Sequence, residues 1–182
     1  MQEISDVLVN EKAAELVAAF KEANLTFGTA ESCTGGLIAK SVTDIAGASE
    51  IYLGSVVSYA NSVKRKLLGV KKKTLDTLGA VSGRCALEMA QGARRALGVD
   101  IAVAVTGIAG PGGGTDEKPV GLVYIAVCHT DGHAAGKEYR FEGTRDEIRK
   151  QKAIAAMDWA IFGANYATGK KTSPPWVGQN KN

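Results

Sequence analysis

Three stretches of the chain hold side chains that could do chemistry. The first is TAESCTGG, residues 29–36, where a short apolar run gives way to a helical pattern. Ser32, Cys33 and Thr34 each carry an O or S able to attack an electrophile, while Ser, Thr and Gly at a helix start also leave backbone N–H groups open to an anion. The same spelling also serves as a plain helix cap. Glu31 ends the preceding strand, and a carboxylate there needs a partner. The second stretch is TGIAGPGGG, residues 106–114, behind another apolar run. It lacks the Lys-Ser/Thr ending of a P-loop and the helix behind a dinucleotide fingerprint. What remains is a set of backbone amides that can face one phosphate or carboxylate, or a flexible lid. The third is ASEIYLGSVVSYANSVK, residues 48–64. A serine becomes nucleophilic when a base takes its proton, and a lysine serves as that base when apolar surroundings lower its pKa. Ser49, Tyr59 and Lys64 form such a candidate group, set against a surface lysine and an ordinary aromatic strand end.

These groups must be held by alternating helices and strands. Residues 5–23 have the spacing of an amphipathic helix, and LTFGTAE (25–31) reads as a strand. A helix follows from Thr34, with Gly47 as its stop. YLGSVVSYA (52–60) is β-rich, NSVKRKLLGV is a short helix with Asn61 as its cap, and Thr74–Leu78 is a further helical turn. Ser82 precedes a helix that ends at Gly98. DIAVAVTGIAG is a strand buried on both faces, GPGGGTDEKPVG a loop, and VGLVYIAVCH and AAGKEYRFEG two strands turning at Asp131-Gly132. A last helix runs from Arg145 through Phe162. This order predicts an α/β fold, a three-layer α/β/α sandwich with a mixed β-sheet. If their strands are parallel neighbours, both glycine-rich turns lie beyond strand carboxyl ends, where such sheets bind ligands.

The 182 residues suit one domain over 1–167, followed by a flexible tail over 168–182. Hydrophobic residues are 45% and charged residues 23%, the balance of a soluble globular chain. A net charge of +3 is too mild for a nucleic-acid footprint, although Lys64–Lys73 (KRKLLGVKKK) is one candidate stripe. Aromatic residues at 6% offer few stacking platforms. No stretch reaches membrane-spanning length and no signal peptide is recognisable, so a cytoplasmic location is expected. Three cysteines without CxxC spacing indicate free thiols, and His129 and His133 flank a turn without a third ligand, so no metal is expected.

TAESCTGG, TDIAGASE, VSYANSVKRKLLGV and AVTGIAGPGGGTDEKPVG, in that order, resemble the CinA C-terminal domain family, whose stand-alone members include nicotinamide-nucleotide amidases. The resemblance spans about residues 10–162. It implies a domain that usually dimerises, uses no cofactor, and hydrolyses the carboxamide of nicotinamide mononucleotide to nicotinate mononucleotide and ammonia. It implies a serine, tyrosine and lysine as catalytic group, matched to Ser49, Tyr59 and Lys64. Ser32, Thr34, Gly35 and Gly36 would then wall the nucleotide pocket, with Glu31 ordering them. Cys33 would be a small buried neighbour. Gly107, Ile108, Ala109 and Gly110 would form the facing wall. Arg145, after FEGT, would hold the 5′-phosphate, with Arg149 one turn on as second candidate. The family's longer form carries an additional N-terminal molybdopterin-binding-like domain, for which this sequence has no length. The competing expectation is a non-catalytic nucleotide-binding or protein-interaction module linked to competence or DNA damage.

Overall fold

A computed structural model describes residues 5–170. The expected flexible tail falls, from residue 171 onward, outside the described residues. The elements run α1 (Asp6–Ala23), β1 (Phe27–Glu31), α2 (Leu37–Thr43), a single 3-10 turn (Ala48–Glu50), β2 (Tyr52–Val57), α3 (Asn61–Leu68), α4 (Lys72–Thr77), α5 (Gly83–Leu97), β3 (Ile101–Gly107), β4 (Leu122–Cys128), β5 (Ala134–Arg140) and α6 (Arg145–Ala167). The five strands form one sheet in the order β2-β1-β3-β4-β5. β1 pairs parallel with both β2 and β3, whereas β4 and β5 add antiparallel. This is the mixed three-layer sandwich expected from the sequence.

The layers follow from alternation along the strands. In IAVAVTG, Ile101, Val103 and Val105 face α1, α2 and α6, while Ala102 and Ala104 face α5. Side chains two residues apart share a sheet face, so one face is lined by branched residues and the other by alanines. The alanine face lets α5 lie close. α3 in turn packs on α5 through Gly92, where an added Cβ would sit 1.9 Å from the Leu68 carbonyl oxygen. That close approach fixes α3, and with it Lys64.

The connections set the site. β1 passes through α2 to β2 on one side, and β2 passes through α3, α4 and α5 back across β1 to β3 on the other. Neighbouring parallel strands whose connections leave in opposite directions open a crevice at their carboxyl ends. Ser32, Tyr59 and the Gly107–Gly110 segment all leave the sheet at that edge.

Several boundaries differ from the sequence reading. Thr34–Gly36 form a turn and α2 starts at Leu37, because Gly35 and Gly36 take left-handed φ values of 62° and 93°. α2 ends at Thr43, well before Gly47, which instead opens the 3-10 turn. Asn61 is the first residue of α3 and not its cap, a position held by Ala60. Ser82 caps α5 as expected, accepting from the Cys85 amide. α6 continues past Phe162 to Ala167, since the apolar stripe reaches Gly163 and Ala164.

Candidate functional site

At the carboxyl edge of β1, the Glu31 carboxylate turns back under α2. Oε2 accepts from the amides of Gly36 at 2.9 Å and Ile38 at 3.2 Å, and Oε1 accepts from Ala39 at 2.8 Å. The N-cap of α2 is Gly36, which offers no capping side chain. Glu31 supplies that cap from the strand, satisfying amides that a helix start leaves open. Its role is thereby to fix the Ser32–Gly36 turn, as both carboxylate oxygens are taken up by backbone.

The fixed turn holds Ser32 against Lys64. Lys64 leaves α3 and buries its amine beneath the sheet edge, with the residue only 1% exposed. Nζ lies 2.9 Å from Ser32 Oγ, donates to the Ser58 carbonyl, and lies 3.2 Å from the Tyr59 carbonyl. Among the described residues it makes no ion pair with a carboxylate. Desolvation, the largest influence, pushes the Lys64 pKa down, against weaker raising effects of the Cys85 and Cys33 thiols. In its neutral form the amine has two N–H groups and one lone pair. Carbonyl oxygens only accept, so the two N–H groups point at Ser58 and Tyr59 and the lone pair is left for the Ser32 hydroxyl proton.

A cavity of about 270 Å³ opens over this pair. Ser32, Cys33, Tyr59 and Lys64 form one side, and Thr106, Gly107, Ile108, Ala109 and Gly110 the other. Arg145, the first residue of α6, closes one end and donates from its guanidinium to the Gly110 carbonyl. The Tyr59 side chain is largely exposed at the rim.

The sequence-predicted residues divide accordingly. Ser32, Tyr59, Lys64, Gly107, Ile108, Ala109, Gly110 and Arg145 converge on the cavity. Gly35 and Gly36 shape the turn behind it, and Thr34 is buried there with its Oγ1 unpartnered. Arg149 spends its guanidinium on the Thr34 carbonyl, with Nη2 at 2.6 Å and Nε at 3.2 Å, and so braces the turn from α6. Ser49 is the correction. It lies in the 3-10 turn before β2, beside Thr43, Ile45 and Tyr52, in a separate depression. Lys64 lies beyond the other end of β2. Six strand residues at about 3.3 Å each hold the two ends roughly 17 to 20 Å apart. Ser49 therefore has no access to the Lys64 amine.

Comparison with known proteins accords with this architecture. The CinA C-terminal domain profile matches residues 9–161. The chain belongs to the CinA C-terminal domain family. A CinA-like protein of Geobacter sulfurreducens is 49% identical over 162 residues, which are 87% of this chain and 39% of that protein. A putative competence-damage inducible protein of Acetivibrio thermocellus is 53% identical over 135 residues, 74% of this chain and 32% of that protein. The chain thus spans between about a third and two-fifths of the length of these curated relatives. Among solved structures, the competence/damage inducible protein CihA from Agrobacterium tumefaciens superposes with a TM-score of 0.83 at 45% identity, covering 87% of this chain and 96% of its own.

Within this CinA-family domain, two contributors escaped the sequence reading. Thr106 lines the cavity at the end of β3 and anchors the wall by donating to the Ala80 carbonyl at 2.8 Å. Lys152 is fully buried on α6, two turns beyond Arg145. The first was signalled by a polar residue closing an otherwise apolar strand. The second had no signal, because a lysine in a long helix reads as a surface residue.

Proposed function

We propose that this domain is an amidohydrolase that removes the amide nitrogen of nicotinamide mononucleotide, with Ser32 as nucleophile and Lys64 as general base. The observation that carries this reading is the 2.9 Å approach of Ser32 Oγ to the buried amine of Lys64, which makes no ion pair with a carboxylate among the described residues. Ser32 Oγ attacks the carboxamide carbon while its proton passes to Lys64 Nζ. The tetrahedral intermediate then collapses. The C–N bond breaks, the nitrogen takes the proton from Lys64, and ammonia leaves behind a nicotinoyl ester on Ser32. Lys64, neutral again, draws a proton from water, whose oxygen attacks the ester carbon; as the ester C–O bond breaks Lys64 returns that proton to Ser32 Oγ, and nicotinate mononucleotide leaves as the acid, losing its proton to solvent.

The other groups have supporting parts. The Thr106–Gly110 wall lines the same cavity; the Ile108 amide is taken by the Leu122 carbonyl, and the amides of Ala109 and Gly110 are the donors proposed for the developing oxyanion, an effect commonly worth about 3 to 4 kcal/mol per donor. Tyr59 contributes its carbonyl to the Lys64 amine, and its ring, at the rim, is placed to cover the pyridine. The Arg145 guanidinium offers parallel N–H groups to the 5′-phosphate. Incubating the purified protein with nicotinamide mononucleotide and measuring ammonia tests the reading. Release that disappears in Ser32→Ala is expected; no release from the wild type removes the proposal.

A further inference from the structure

One hydroxyl on the cavity wall has its proton already committed. Thr106 lines the cavity together with Ala80, and donates from Oγ1 to the Ala80 carbonyl at 2.8 Å. A hydroxyl has one proton and two lone pairs, so this one can only accept from a molecule in the cavity. Turning the proton toward a ligand would leave the Ala80 carbonyl without that partner. The register places this acceptor beside the proposed nucleophile. Glu31 pairs with Val105, and the Ser32 amide donates to the Val105 carbonyl at 3.1 Å. Ser32 and Thr106 therefore stand on the next rung of neighbouring strands, whose spacing is about 4.8 Å. Alternation puts Thr106 on the sheet face of Ala102 and Ala104, and Ser32 on that of Ala30, all toward α5. With the strands in the order β2-β1-β3, Ser32 sits between Lys64 on one side and Thr106 on the other.

We infer that Thr106 sets the specificity of the proposed reaction for a carboxamide over a carboxylate, by accepting a hydrogen bond from the amide nitrogen; this rests on the amidohydrolase reading. A primary amide carries an acceptor and a donor on one carbon. With that carbon over Ser32 Oγ, its oxygen takes the Ala109 and Gly110 amides and its NH2 group meets the Thr106 lone pairs. The carboxylate product has acceptors on both arms. One of its oxygens faces the Thr106 lone pairs with no proton between them, so the product is held less well than the substrate by the same atoms. A site whose polar groups match one molecule rejects the isostere that leaves them unpaired. The same mismatch favours release of the acid after turnover.

The test uses the Ser32→Ala protein, which lacks the proposed nucleophile, and measures binding of nicotinamide mononucleotide and nicotinate mononucleotide by isothermal titration calorimetry near neutral pH. Adding Thr106→Val is expected to reduce the preference for the amide, read as the ratio of the two dissociation constants, by at least about tenfold, and adding Thr106→Ser to keep it within about twofold. A wall merely loosened at Ala80 would weaken both nucleotides together and leave the ratio unchanged, which overturns the inference. Should Thr106→Val fail to fold, Thr106→Ala supplies the same comparison. If the Ser32→Ala protein binds neither nucleotide, the nicotinamide reading falls and the inference with it. If it binds both and the ratio ignores Thr106, only the inference falls.

Discussion

Ser32 Oγ and Lys64 Nζ stand 2.9 Å apart although their residues are 32 positions apart in the chain. The approach is built by two parallel neighbours: Ser32 leaves the carboxyl end of β1, and Lys64 follows the carboxyl end of β2. Each side chain is fixed from behind, Ser32 by the Glu31-capped turn and Lys64 by the α3–α5 contact at Gly92. A hydroxyl and an amine held by the scaffold itself, the proposed nucleophile and base, need no rearrangement to exchange a proton.

The serine assignment separates cleanly by mutation. Ser32→Ala is expected to lower kcat for nicotinamide mononucleotide by at least about 10³-fold, whereas Ser49→Ala should remain within about twofold of wild type. Ammonia release under saturating substrate, with circular dichroism confirming the fold of both variants, decides it. Equal loss in the two variants, or loss only in Ser49→Ala, removes Ser32 from the mechanism.

The layered fold was legible because periodicity reports burial directly: IAVAVTG could only be a strand covered on both faces, and the spacing of residues 5–23 only an amphipathic helix. The glycine-rich walls were legible too, since their composition forbids regular structure. Ser49 does not meet Lys64 for a reason of direction. A residue before a strand and one after it are a strand's length apart, so Ser49 and Lys64 could not meet once Tyr52–Val57 was read as extended. Ser32 and Lys64 could meet only if β1 and β2 were parallel neighbours, and pairing between strands is not written in either segment alone. Lys152 stayed hidden because a residue's burial on a long helix is set by tertiary packing that the helix's own sequence does not show.

Burial of two lysines gives the domain a pH signature. Lys64 must be uncharged to act as base and its pKa is pushed down, so kcat/KM is expected to rise with pH on an acid limb whose midpoint lies below the ordinary lysine value of about 10.4. Stability should move in the same direction. Lys64 and Lys152 both have folded pKa values below their unfolded ones, so between the two values the unfolded chain binds more protons. Their contribution to stability therefore increases as pH rises through that window, and is at its lowest below it. Lys152→Met should flatten this rise and leave the unfolding free energy at neutral pH unchanged or higher by about 1 to 2 kcal/mol. Urea denaturation across the alkaline range measures both; a variant clearly less stable than wild type at neutral pH contradicts it.

Arg145 is the expected phosphate holder, and a nucleoside comparison isolates it. Arg145→Ala should raise KM for nicotinamide mononucleotide by about 10- to 100-fold, equivalent to roughly 1.4 to 2.8 kcal/mol, while changing kcat/KM for the nucleoside without phosphate by little. Part of any common loss would come from the Gly110 carbonyl contact, which both substrates share. Arg149→Ala should act differently. Because its guanidinium holds the Thr34 carbonyl, its removal should loosen the Ser32 turn and lower kcat for both substrates alike. Steady-state kinetics on the two substrates distinguishes these patterns, and an equal effect of Arg145→Ala on both would take the phosphate role from it.

Glu31 links stability to catalysis through one carboxylate. It is fully buried and its two oxygens take three amides at the start of α2. Glu31→Ala leaves those amides unsatisfied in a site closed to water, at an expected cost of about 2 to 4 kcal/mol. Glu31→Gln keeps the shape and one carbonyl oxygen, but its NH2 group then faces amides that are themselves donors. It should lose less stability than Glu31→Ala while still misplacing the turn. Since Ser32 is the very next residue, kcat should fall in Glu31→Gln even at temperatures where the protein remains fully folded. Thermal unfolding with activity measured well below the transition tests the link. If Glu31→Gln lost stability but kept full kcat, the capped turn would be holding α2 without positioning the nucleophile.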